Sequence, residues 1–267
     1  MLSTGDRFED YVVDEVLGHG GSATVYRVHD AEHPARVVAL KILDEHSRDR
    51  ARVARLRREY EFAHRLDHPH IVTVYERGRG WLTMEFIAGG GVQRLRTIPD
   101  RLGALGQIAD ALDYIHNRAI VHCDVKPANI LVEPDGSRAV LIDFGVAVTI
   151  TDDIGRRPTQ VEASLPYSAP ELIAGRAPTE ATDEYALACT AIELITGAPP
   201  FREDSRVGLV DAHLHRPPPR LSREIDWLPR AFDSITAKAL SKAPADRYHS
   251  CREFIALIAR ALHSRAG

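Results

Sequence analysis

The chain has 267 residues, 44% of them hydrophobic, and 38 acidic side chains against 34 basic ones give a net charge of −4. That length suits one large domain or two small lobes around a real core, and the slightly acidic balance gives no reason to expect a nucleic-acid partner. Three scattered cysteines (Cys123, Cys189, Cys251) cannot make a disulfide framework, no apolar run approaches the ~20 residues of a membrane span, and Met1–Asp6 lacks the regions of a signal peptide, so the expectation is a soluble, cytoplasmic chain.

The first 87 residues read mostly as strand. Tyr11–Val16, Thr24–Val28 and Val37–Ile42 are rich in β-branched residues and separated by Gly, His and Asp. Arg50–Leu66 reads as a helix, with Val53, Leu56, Tyr60 and Ala63 at helical spacing and an Arg-crowded opposite face expected to be solvated. Val72–Glu76 and Trp81–Phe86 are two further strands around a Gly78–Gly80 turn. Gly89, Gly90 and Gly91 then suggest a flexible hinge.

Beyond the hinge the pattern is helical. Arg101–Asn117 places Leu102, Leu105, Ile108, Ala109, Leu112 and Ile115 on one face. Ala181–Thr196 is apolar nearly all round and should be buried centrally. A stiff Arg216–Pro219 connector precedes two amphipathic helices, Phe232–Ser241 and Ser250–Leu262.

Three places carry chemistry. Leu17-Gly18-His19-Gly20-Gly21-Ser22-Ala23-Thr24-Val25 lies between two strands, where glycines let backbone N–H groups approach phosphate. Alone this signal is weak. It has neither a P-loop's Gly-Lys-Ser/Thr ending nor a Rossmann unit's following helix. Lys41 closes the strand Val38-Ala39-Leu40-Lys41. Val121-His122-Cys123-Asp124-Val125-Lys126-Pro127-Ala128-Asn129, followed fourteen residues on by Asp143-Phe144-Gly145, supplies an acidic proton acceptor, a cation and two oxygen ligands suited to Mg²⁺. A lone His on an apolar strand is usually a satisfied core residue, and His122 is read that way, with Phe144 as packing. His64, His68, His70, His213 and His215 fit no zinc spacing and are read as surface or packing residues.

These stretches, with Ala169-Pro170-Glu171 and Ala245-Asp246-Arg247-Tyr248, resemble the motifs of eukaryotic-type serine/threonine protein kinases, most of all the bacterial and actinobacterial branch. The resemblance covers about residues 8 to 263. It implies an α+β, two-lobe fold: a small antiparallel β-rich N-lobe with one helix (residues 1–87) and a larger, mainly helical C-lobe (88–267), together one catalytic domain. It implies ATP and one or two Mg²⁺ ions, with Mn²⁺ as an alternative, and protein substrates carrying Ser or Thr.

By the family pattern Lys41 would contact the α- and β-phosphates, held by Glu59, with Glu61 as competitor. Met84 would stand behind the adenine, the backbone of Glu85 and Ile87 would bond the base, and Val25, Ala39 and Leu131 would wall it. Asp124 would be the base, Lys126 the charge neutraliser, and Asn129 and Asp143 the metal ligands. Ser164 would hydrogen-bond Asp124 and Lys126. Glu171 would pair with Arg247, and Asp183 would anchor the catalytic-loop backbone.

Ala23 replaces the third loop Gly, a mild departure. Cys123 stands where most of the family has Arg. Without that cation, the need for a phosphate on the segment between Asp143 and Glu171 is reduced; Thr149, Thr151 and Thr159 are its phosphorylatable threonines, and Arg156 and Arg157 its remaining cations. Cys123 itself is read as a buried structural thiol rather than a redox switch. The short stretch from Gly89 to Asp100 suggests that the helix after the hinge is reduced. Two rivals stay open: a pseudokinase or nucleotide-binding docking module, and a small-molecule phosphotransferase of kinase-like fold. The resemblance is also compatible with the chain being the cytoplasmic domain of a single-pass membrane kinase, tethered through a part beyond residue 267.

Overall fold

The computed structural model describes residues 1–150 and 164–263. Its N-terminal part is one six-stranded antiparallel sheet in the order β1-β2-β3-β4-β6-β5. The strands are β1 (Arg7–Phe8), β2 (Tyr11–His19), β3 (Ala23–Asp30), β4 (Val37–Leu43), β5 (Val74–Gly78) and β6 (Trp81–Glu85). Strand alternation gives the sheet two faces. Tyr26, Val28, Val38, Leu40 and Ile42 form a small apolar cluster on one face, with Phe8 and Trp81 packed on it. Ala23, Ala39, Leu82 and Met84 lie on the other and belong to the main core. The register sets Val25 opposite Lys41 and Ala39 opposite Met84, so these four share the inner face.

Helix α1 (Arg50–Ala63) packs against β5 and β6. Asp49 starts it by accepting a bond from the Arg52 amide, 2.9 Å. It ends three residues before the expected Leu66, which sits in a turn donating to the Ala63 carbonyl. Strand β5 likewise begins two residues later than expected, because Val72 donates to Leu141 of the C-terminal part and not to β6.

The triple glycine is not a flexible spacer. A Cβ on Gly89 would lie 2.1 Å from the Val132 carbonyl oxygen, so this residue is there for close approach. Gly91 bridges to Leu131, and only a short 3-10 turn, Val92–Arg94, occupies the stretch that follows, in line with the reduced helix expected there.

The C-terminal part is built on α2 (Ile98–His116), which packs on α4 (Glu180–Thr196) and α7 (Cys251–His263). Between α2 and α4 come two short antiparallel pairs: β7 (Ile120–Val121) with β10 (Val148–Thr149), and β8 (Ile130–Val132) with β9 (Ala139–Leu141). Short α3 (Pro170–Ile173), α5 (Arg206–His215) and α6 (Arg230–Ala239) complete this lobe. Helix α4 is buried along most of its length, as its all-round apolar pattern requires, and Gly197 ends it at φ 91°. Among the described residues, no helix is long and apolar enough to cross a membrane.

Candidate active site

Lys41 reaches from β4 to α1, where its Nζ donates to both Glu59 carboxylate oxygens at 2.7 Å. Glu61, the competitor, is turned outward and accepts from Arg57 at 2.6 Å. Asp143 Oδ2 lies 3.8 Å from Lys41 Nζ, so one ammonium faces two carboxylates. Burial opposes the Lys41 charge, yet Asp143 and Glu59 outweigh it and raise the ammonium above its ordinary value. Burial pushes the Glu59 carboxyl up to about 6 against the pull of Lys41. Burial would also raise Asp143, but Lys41 and Arg55 hold it down at about 2. The upward shift of Glu59 and the downward shift of Asp143 pull apart because they share one cation. All three groups are nonetheless charged at neutral pH, since about 6 is still below it.

The second cluster stands on the loop between β7 and β8. Asp183, at the start of α4, accepts from the amides of His122 (2.7 Å) and Cys123 (2.8 Å) and from His116 Nε2 (2.8 Å). That carboxylate holds Cys123 at φ 66°, a left-handed conformation costly for a residue with a Cβ. Asp124 follows. Its carboxylate accepts from Lys126 Nζ at 2.8 and 3.0 Å, from Asn129 Nδ2 at 3.0 Å, and from the Ser164 hydroxyl. Lys126 also donates to Ser164 at 2.7 Å. Asn129 spends its Nδ2 on the Asp124 carbonyl and carboxylate, which leaves the amide oxygen to serve a metal. Its own carbonyl accepts from the Ile142 amide at 3.0 Å, so the β8–β9 pair sets Asn129 beside the residue preceding Asp143. Asp143, at φ 67°, is the other strained non-glycine here. Asn129 and Asp143 offer hard oxygens, a donor set that fits Mg²⁺ or Mn²⁺.

A cavity of about 870 Å³ lies between the sheet and the C-terminal lobe. Leu17, Gly18, Gly20, Gly21, Ser22, Ala23, Val25, Ala39, Lys41, Met84, Glu85, Ile87, Leu131 and Asp143 line it. His19 and Thr24 do not. They alternate onto the other side of the loop, where Thr24 bonds His19 at 3.2 Å and Asp44 at 2.9 Å. Asp124 and Ser164 border a separate shallow depression with Tyr167 and Leu172.

Farther out, Glu171 and Arg247 form a buried two-bond pair at 2.8 and 2.9 Å. His122 is a core residue, edge-on to Phe144 at 4.8 Å, with Nδ1 accepting from the Asp124 amide. Cys123 is half-buried, not buried, because its left-handed backbone turns it toward the depression beside Asp124. Thr149 lies in β10, while Thr151, Arg156, Arg157 and Thr159 lie outside the described residues.

The Arg-rich face of α1 corrects its solvated reading. Arg52 and Arg55 line the cavity, Arg55 Nη2 lies 3.8 Å from Asp143 Oδ2, and Arg58 donates to the Ala147 carbonyl at 3.3 Å. The signal was in the spacing: Arg52, Arg55 and Glu59 fall on one helical face.

The protein kinase domain family matches residues 11–263. The chain is 39% identical to the serine/threonine-protein kinase PknJ of Mycobacterium tuberculosis over 280 residues, covering 99% of this chain and 47% of that protein. To PknF of the same organism it is 38% identical over 285 residues, covering 100% of this chain and 58% of that protein. The chain thus spans about half the length of these curated relatives. The crystal structure of the Mycobacterium tuberculosis PknI kinase domain superposes with a TM-score of 0.74 at 34% identity, covering 98% of this chain and 100% of that one.

Proposed function

The chain belongs to the protein kinase family, and from that premise we propose that it is a serine/threonine protein kinase transferring the γ-phosphoryl group of ATP to Ser and Thr hydroxyls of proteins, itself included. One observation carries the reading: the Asp124 carboxylate is gripped by Lys126, Ser164 and Asn129, while Lys41 is gripped by Glu59 beside Asp143. Binding modules that do not transfer phosphate have no use for the Asp124 cluster.

In this reading ATP occupies the cavity. Adenine sits against Val25, Ala39, Met84 and Leu131 and bonds the backbone of Glu85 and Ile87. The Gly18–Ser22 turn covers the phosphates with its N–H groups, and Lys41 contacts the α- and β-phosphates. Asn129 and Asp143 would hold Mg²⁺ or Mn²⁺, which when bound neutralises charge on the phosphate oxygens. Asp124 orients the substrate hydroxyl and accepts its proton. The hydroxyl oxygen bonds to the γ-phosphorus as the β–γ bridge breaks, giving the phosphoester and ADP. Lys126 balances charge on the group in transit. Residues 1–87 serve as the nucleotide lobe and 88–267 as the catalytic and substrate lobe. The cytoplasm, where ATP is abundant, is the compartment that goes with this chemistry. Tethering of the domain to a membrane through further chain is the finer proposal, suggested by relatives about twice as long.

The test is a phosphosite map by mass spectrometry after incubation with ATP and Mg²⁺ or Mn²⁺, alongside a generic protein substrate. Wild type should label Ser and Thr, and Asp124→Asn should fall by roughly 10²–10⁴-fold. Nucleotide binding with no labelled Ser or Thr would turn the chain into a docking module. Transfer to aminoglycosides or choline alone would make it a small-molecule phosphotransferase.

A further inference from the structure

We propose that Asp113, His116 and Cys251 form a zinc-binding site behind the catalytic loop. The nitrogen, oxygen and sulfur ligand atoms of these three side chains lie within 4.8 Å of one another. Asp113 and His116 are one turn apart on α2, and Cys251 opens α7. Such a mixed set suits Zn²⁺ and is poorly matched to Mg²⁺.

Three observations build the site. First, His116 Nε2 donates to the Asp183 carboxylate at 2.8 Å, which fixes the tautomer and leaves Nδ1 with the lone pair. A carboxylate on the far nitrogen is the usual support of a zinc-bound histidine. Second, Asp113 accepts from Ser250 Oγ (2.7 Å) and the amides of Cys251 (2.9 Å) and Arg252 (3.2 Å). Those three bonds orient the carboxylate and still leave it a lone-pair direction. Third, a cavity of about 410 Å³ runs to His116 and Cys251 and is also lined by Glu184. Glu184 is only 2% exposed, yet its Oε2 has no hydrogen-bond partner among the described residues. Burial pushes the Glu184 carboxyl up to about 8, and a water held by its unpaired oxygen would complete the coordination of the ion.

Binding exchanges the Cys251 S–H proton, released to solvent, for a zinc–sulfur bond, with no change of oxidation state. The ion would clamp α7 to α2. It would also stiffen the catalytic loop, because Asp183 holds both His116 and the amides of His122 and Cys123.

The experiment uses the full chain in excess Mg²⁺, which occupies the oxygen ligands Asn129 and Asp143. Zinc content after dialysis, the thiolate-to-cobalt charge-transfer band with Co²⁺, and the melting temperature with and without Zn²⁺ are compared across wild type, Cys251→Ala, the near-isosteric Cys251→Ser, and Cys123→Ser. One zinc per wild-type chain, a cobalt band kept in Cys123→Ser and lost in both Cys251 variants, and a melting shift confined to chains with Cys251 are expected. Zinc content and melting shift unchanged in Cys251→Ser, or no cobalt band in wild type, would overturn the site.

Discussion

His213 shows what one buried residue does to the pH response of the whole chain. It is fully buried on α5, its Nδ1 2.9 Å from the Tyr185 hydroxyl, and burial pushes its pKa down to about 4, with the Lys242 ammonium adding to the effect. The folded value lies below the ordinary 6.5, so the unfolded chain takes up the proton first. Stability therefore falls as pH drops from about 6.5 towards 4, by roughly 2 kcal/mol at about pH 5. In His213→Gln, which keeps an acceptor for Tyr185 and cannot titrate, urea denaturation at pH 7.5 and 5 should show a loss smaller by about that amount. Equal losses in both proteins would mean the imidazole is not held neutral. At this scale the candidate catalytic and metal-holding residues were legible because their motif is contiguous: Asp124, Lys126 and Asn129 lie within six positions, and the structure brings their side chains into one cluster. Residues that work through distant partners were legible only where the family resemblance named both ends, as for Glu171 with Arg247 and Asp183 with the catalytic-loop amides; His116 and Cys251 were not. His116 meets Asp183 across a separation of 67 positions, and Cys251 meets Asp113 across 138. No local spacing encodes either meeting.

Among the elements, the hinge gives the sharpest contrast between pattern and packing. Three consecutive glycines look alike in sequence, but their surroundings differ. A Cβ on Gly89 would strike backbone, the Val132 carbonyl oxygen at 2.1 Å and the Glu133 carbonyl carbon at 2.4 Å, whereas one on Gly91 would meet only the tip of Gln93 at 2.7 Å. Gly89→Ala must push the hinge away from β8, and overpacking of this kind costs about 1–3 kcal/mol. Since Ile87 and Ala88 line the cavity proposed for ATP directly before it, the KM for ATP should rise several-fold as well. Gly91→Ala should be tolerated, with a melting temperature close to wild type, because a flexible side chain can swing aside. Equal effects of the two substitutions on thermal melting and on KM would show that the close approach is not what Gly89 is for. The longer elements were mostly readable from periodicity, and α4 stood out by its apolar girth, while the two- and three-residue strands β1 and β7 to β10 and the helices α3 and α5 were not read. Misreadings arose where tertiary contact overrode pattern. Strand β5 starts late because Val72 bonds across to Leu141, and the Arg face of α1 is partly turned inward because Asp143 and the Ala147 carbonyl attract it.

For the molecule as a whole, the question is whether its two lobes need a phosphate to assemble the site. In a family member with Arg before the base, an unpaired cation would stand beside Asp124 until a phosphate met it. Cys123 puts no charge there. Lys41 stands on Glu59 at 2.7 Å, Lys126 on Ser164 at 2.7 Å, and Arg58 of α1 donates to Ala147 just beyond Asp143. These contacts join α1, the loop after β7 and both ends of the segment between Asp143 and Glu171. Replacing Thr149, Thr151 and Thr159 together by Ala should therefore leave peptide phosphorylation within about a hundredfold of wild type, equivalent to no more than roughly 2.7 kcal/mol of barrier. Thr149 pairs through its backbone with Ile120, an interaction that Ala preserves. Phosphatase-treated wild type should behave as the triple variant does, with no lag before peptide turnover. A deeper loss in the triple variant, or a lag that pre-incubation with ATP abolishes, would mean that the segment carries a phosphate-dependent switch despite the uncharged residue at position 123.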